Sequence, residues 1–181
     1  MRKILSTMML AMALTAGCSP VPNKTESKAV LQAEVQETIA LFKERDPDIQ
    51  RFFKDSAGYA VIPKIFKGAF LVGGAYGKGR LYEEGQMTGY CSMSQATLGF
   101  SFGGEFFREI IFFHRSVDVT LFKSEEYTFS AQATAVALTA GAAAKTGYKN
   151  GMAVFVMADS GLMVDASIGG QKFNVVPLDL R

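Results

Sequence analysis

The chain has 181 residues, 49% of them hydrophobic, with 19 Lys+Arg against 17 Asp+Glu and a formal charge of +2. A balance so close to neutral gives no support for whole-molecule attraction to nucleic acid or to anionic lipid, so electrostatic binding must come from a local patch. Two cysteines and one histidine supply no ligand set at metal-binding spacing, and no metal or cofactor is expected.

Arg2 and Lys3 precede an apolar run from Ile4 to Ala16, and small residues then lead to Cys18. The run is shorter than the roughly 20 residues a membrane-spanning helix needs. Charged start, apolar middle and small-residue exit read as a secretory signal. The alternative to a lipoprotein is an ordinary signal peptide with an incidental cysteine. However, Leu14-Thr15-Ala16-Gly17-Cys18 resembles a lipobox, whose thiol takes a diacylglycerol by thioether linkage. Residues 1–17 are therefore expected to be a lipoprotein signal peptide, Cys18 the lipid anchor and 18–28 a tether. Ser19 favours the outer membrane, where Asp would signal inner-membrane retention. Removing residues 1–17 takes Arg2 and Lys3 away, leaving 17 basic against 17 acidic residues. Lipidation consumes Cys18, so no internal disulfide can form, and the apolar neighbours of Cys91 predict a buried thiol.

Residues 29–181 read as one domain. Leu31, Val35, Ile39 and Phe42 recur at helical spacing and predict an amphipathic helix beginning at Thr25 or Ser27. Asp46-Pro47 restarts a helix as N-cap and first position, burying Ile49, Phe52 and Phe53, with Gly58 as terminator. Both helices predict a lid on the core. A membrane-resting surface is the alternative, although its polar face is mixed in charge. Beyond Gly58 the period changes to that of strands: Tyr59–Ile62, Ala69–Tyr76, Gly89–Met93, Leu98–Phe102, Glu109–Phe113, Tyr127–Leu138, Met152–Ala158 and Leu162–Ile168. Asp159-Ser160-Gly161 reads as a hairpin turn, Arg115–Phe122 as one or two helical turns, and Ala131–Ala144 as helix or strand. The expected fold is α+β and β-dominated: N-terminal amphipathic helices on an antiparallel, Gly-rich sheet of about eight strands, barrel-like or folded as a sandwich.

Catalytic constellations are missing. His114 at a strand end reads as structural, and no Gly-x-Ser-x-Gly elbow occurs. Gly74-Ala75-Tyr76-Gly77-Lys78-Gly79 lacks the Ser/Thr and the helix that a phosphate loop requires, so it reads as a β-turn. Glu83-Glu84 and Glu125-Glu126 read as solvated turns. No enzyme is expected. One charge feature stands out: Lys64, Lys67, Lys78 and Arg80 occur without an acidic residue among them, interleaved with Phe66, Phe70 and Tyr76. Such cations beside apolar groups suit a phospholipid headgroup and its first acyl carbons. Four independent surface cations are the alternative.

Ala57-Gly58-Tyr59-Ala60-Val61-Ile62-Pro63, Lys67 to Gly74 and Gly77-Lys78-Gly79 resemble the opening of the SYLF domain. Leu98 to Glu105 with Glu109-Ile110-Ile111 resembles its central segment, while Tyr148-Lys149-Asn150-Gly151 and Gly161 to Phe173 are similar to its bacterial lipoprotein branch. The resemblance implies a lipid-binding module, with phosphoinositide binding in eukaryotic members and actin binding in fungal ones. The periplasm offers neither ligand. The expected function is therefore a periplasm-facing outer-membrane lipoprotein that binds phospholipid or another amphiphile without chemistry. An envelope assembly factor binding a protein partner is the alternative.

Overall fold

Two helices lead into the sheet in the computed structural model, which describes residues 20–22, 24–124, 128–129 and 135–178. Cys18, the signal segment, Glu125 and Glu126 lie outside the described residues. Helix α1 spans Thr25–Arg45 and buries Leu31, Val35, Thr38 and Phe42, with Ile39 half-buried beside them. Asp46 is fully buried and accepts the Asp48 N–H at 3.2 Å, opening a 3-10 turn at Pro47–Ile49 that runs into α2, Gln50–Asp55. Pro47 fits there because its missing N–H would have no helical partner.

Three strands make most of the sheet: β1 (Gly58–Glu83), β2 (Gln86–Phe113) and, last in the chain, β5 (Met152–Pro177). A straight strand of 26 residues would span roughly 85 Å, far longer than a domain of this size, so the strands must bend. β1 and β2 form one antiparallel hairpin closed by Glu84–Gly85, both at positive φ (50° and 77°), which is the backbone of a type I′ turn. β2 pairs along nearly its whole length with β5. Between β2 and β5 the chain forms α3 (Ser116–Lys123), β3 (Thr128–Phe129), β4 (Ala135–Ala137) and α4 (Ala142–Lys145). Among the described strands the order is β1-β2-β5-β3, with β4 parallel to β5, so the sheet is open and folded over rather than closed.

The fold is α+β and β-dominated, but its strand segments are distributed differently from the sequence reading. Each of β1, β2 and β5 carries two or three of the eight apolar segments, because glycines within them permit bending without ending the ladder. Asp159-Ser160-Gly161 is not a turn. Asp159 is the extra residue of a bulge in β5, opposite Phe106 and Phe107, and its carboxylate lies 3.3 Å from the Arg108 guanidinium. Gly74–Gly79 is also strand, within β1. The described part of Ala131–Ala144 holds strand and helix in turn, as β4 and the start of α4.

Period-two alternation divides the core into two clusters on opposite faces of the sheet. Val61, Ile110, Phe112, Ala153 and Phe155 face α1 and α2, where Phe52 and Phe53 lie edge-on to neighbouring rings 4.8–5.3 Å away. Ala60, Ile62, Ile111, Phe113 and Val154 face inward and meet Leu81, Cys91, Met93 and Phe173 from the far halves of the strands. Helix α3 closes this inner cluster with Val119 and Phe122. The two halves of β1 approach so closely that a Cβ at Gly79 would fall within 2.2 Å of the Val61 carbonyl oxygen. At Gly77 it would meet Ile62 and Ile65 at 2.7 Å.

Candidate functional site: a cleft between α1 and β1

The crossing of β1 over itself leaves a groove beside the start of α1. Pro63 and Lys64 fall where β1 loses register with β2, between Ile62 and Ile65. Proline has no N–H to give the ladder and is accommodated at such a bulge, and the irregularity leaves Lys64 exposed. Tyr76, Gly77 and Lys78 of the returning half form the opposite wall, and Pro22, Lys24, Val30, Leu31 and Glu34 form the roof. The cleft measures about 720 Å³ and is open to solvent. Val30 is 52% exposed above it. Lys24, Lys64 and Lys78 contribute positive charge, against Glu26 and Glu34, so the cleft is amphipathic and only weakly cationic.

The four cations singled out in the sequence are divided by the fold. Lys64 and Lys78 share the cleft. Lys67 turns into the interior of the folded sheet, buried, with its Nζ 3.9 Å from Glu105. Arg80 is also buried. Its Nη2 donates to the Lys28 carbonyl at 2.7 Å and its guanidinium lies 5.6 Å from the Tyr90 ring centre, fastening α1 to β1. Of the interleaved aromatics, Tyr76 lines the cleft. Phe66 is 52% exposed on the outer face, 5.2 Å from Phe106, over whose ring Lys64 Nζ also sits at 5.3 Å. The side chain of Phe70 lies outside the described residues.

Lys24, Val30 and Glu34 are not legible as site residues in the sequence because they belong to the tether and to exposed or half-buried positions of α1. Only the fold-back of β1 brings them opposite Lys64 and Lys78. His114 is exposed at the end of β2 and stacks on Tyr148 at 4.5 Å, a packing contact. Cys91 is fully buried, and burial followed by the charge of Glu109 pushes its thiol up to about 12, so it is an inert packing residue. Among the described residues no three His, Cys, Asp or Glu side chains gather as a metal site, and no helix is long and apolar enough to cross a membrane.

The fold and cleft define an α+β, β-dominated domain with an open amphipathic groove. No family model matches the chain. It is similar to Beta cell expansion factor A of Aeromonas veronii, at 28% identity over 137 residues. These residues are 75% of this chain and 51% of that protein, so the chain spans about half the length of its relative.

Proposed function

We propose that this chain is a SYLF-type outer-membrane lipoprotein, anchored through Cys18, whose periplasm-facing domain binds phospholipid or another amphiphile without catalysing a reaction. The observation that carries the proposal is the cleft itself. Lysine ammonium groups line it beside Val30, Leu31, Pro63 and the Tyr76 ring, a pairing that suits an anionic headgroup joined to an apolar chain. Exposed Phe66, packed against Phe106 with Lys64 over the latter's ring, extends the same chemistry onto the outer face. Like any groove whose cations are partly offset by carboxylates, it should bind modestly and reversibly. Solvent extraction of purified Cys18→Ala protein, followed by mass spectrometry, tests the proposal. Phospholipid or fatty acid recovered with the protein after incubation with added lipid supports it, and protein that takes up no added phospholipid defeats it.

The second reading, an envelope assembly factor that binds a protein partner, draws on Val117 and Leu121. These side chains are 51% and 52% exposed, four residues apart on α3 and away from the cleft. Substituting both with Ser should leave amphiphile binding unchanged, and should reduce only the capture of a partner.

A further inference from the structure

Deep inside the folded sheet a carboxyl group sits with no cation beside it among the described residues. Glu109 is fully buried at an inward position of β2, with Ile111 and Phe113 following on the same face. Gln171, 3% exposed, reaches it from the far half of β5 and donates its Nε2–H to Glu109 Oε2 at 3.1 Å. The pair therefore joins the two layers of the fold. Each partner keeps one buried oxygen without a hydrogen bond, Glu109 Oε1 and Gln171 Oε1. Two acceptors cannot satisfy each other, and leaving both bare is costly in a dry interior.

We propose that Glu109 holds a proton between the two layers and that the resulting acid–amide pair latches the folded sheet. The proton, taken from solvent, sits on Glu109 Oε1 and turns that oxygen into a donor toward Gln171 Oε1. The amide N–H already bonds the other carboxyl oxygen, so one proton completes a reciprocal pair and removes a buried charge. Among the described residues none pairs with Glu109 as a counter-ion, and Gln171 is its side-chain partner. The neighbouring Cys91 is a neutral thiol, since burial pushes it up to about 12. Lys67 and Glu105 lie further along the same inner face and pair with each other at 3.9 Å. At the opposite end, α3 has its Asp118 paired with Arg115 and its Lys123 with Glu83. The helices α1 and α2 pack on the other face of the sheet.

Burial raises the Glu109 carboxyl from 4.5 to about 7, against the smaller opposing effect of the Gln171 hydrogen bond. A group raised on folding stabilises the folded state fully below its unfolded value, and that contribution is lost as pH rises to the folded value. The window is therefore about pH 4.5 to about pH 7, within which one bound proton changes the unfolding constant about tenfold per pH unit. The latch is closed in acid and weakens toward neutrality, the opposite of an ordinary surface carboxylate.

Thermal unfolding of the purified protein across that window tests the proposal, comparing wild type with Glu109→Gln. The variant retains a donor at the latch position without a titrating group. The difference between the two Tm profiles should grow with pH up to about 7 and then level off, and parallel profiles overturn the proposal. Infrared spectroscopy of the wild type needs no variant: a protonated-carboxyl C=O band should persist at about pH 6 and fade toward about pH 8, long after ordinary carboxylates have ionised near pH 4. Absence of that band at pH 6 also overturns it.

Discussion

A methyl group at position 79 has nowhere to go, because the atom it would strike is the backbone oxygen of Val61, at 2.2 Å. A flexible side chain could swing aside, whereas a carbonyl held in a ladder cannot. Gly79→Ala should therefore cost about 3 kcal/mol, at the upper end of ordinary overpacking. Gly85→Ala, at φ 77° with open space around it, should cost only about 1 kcal/mol for the left-handed backbone. Urea denaturation midpoints compare the two, and equal small losses would mean that the halves of β1 do not cross as described. The glycines of Gly74–Gly79 look like turn residues in the sequence because the same residue serves turns and close approach alike. Glu109 was more legible than it was read. A carboxylate in the run Glu109-Ile110-Ile111-Phe112-Phe113, in phase with the inward residues, is the signature of a buried acid.

At the scale of elements, the helices followed their local signals more faithfully than the strands. The stripe of α1 and the Asp46-Pro47 start are local patterns of capping and periodicity, and both are realised. Asp46 also does something no local pattern reveals: its Oδ2 accepts the buried Ala143 N–H at 2.7 Å, 97 residues away, and so orders α4. Asp46→Ala should thus cost about 2 kcal/mol or more by leaving that N–H unpaired as well as removing a cap. It should also raise amide exchange in Ala142–Lys145, and a loss confined to α2 would contradict the long-range contact. Strands behaved differently because glycine and polar residues break an apolar run without breaking its hydrogen bonds. Eight segments therefore read as separate elements where three long strands carry nearly all of them. Bends and bulges, such as that at Asp159, are set by pairing with a neighbouring strand. A sequence window cannot contain that information.

For the whole molecule, the folded-over sheet buries two faces at once, which explains how a chain with balanced charge and Gly-rich strands builds two core clusters, one on each face. Cys91 reports on that core directly. It is fully buried with its thiol pushed up to about 12, so a thiol reagent should modify the folded Cys18→Ala protein only at the rate of unfolding, and at once in denaturant. Rapid labelling under native conditions would contradict the packing. The proposed anchor operates on a different scale from the domain. Each buried methylene contributes about 0.8 kcal/mol, so wild-type protein should stay with outer membranes through salt washes that strip Cys18→Ala. Equal retention of the two would make the domain itself the anchor. The cleft was half legible at this level. Lys64 and Lys78 stood out as cations among aromatics, whereas the burial of Lys67 and Arg80 and the arrival of Lys24 depend on how β1 folds back beneath α1.

Vesicle flotation of Cys18→Ala protein, with and without Lys24→Gln, Lys64→Gln and Lys78→Gln together, tests the amphiphile-binding cleft most directly. On vesicles of phosphatidylethanolamine with phosphatidylglycerol at low salt, the protein with an intact cleft should float. The triple variant should bind more weakly by about 1 kcal/mol per cation. Added salt should weaken the intact protein toward the variant, because charges at an open cleft are screened over about 8 Å at physiological ionic strength. Flotation of both proteins to the same extent at low salt, or of neither, would contradict the account.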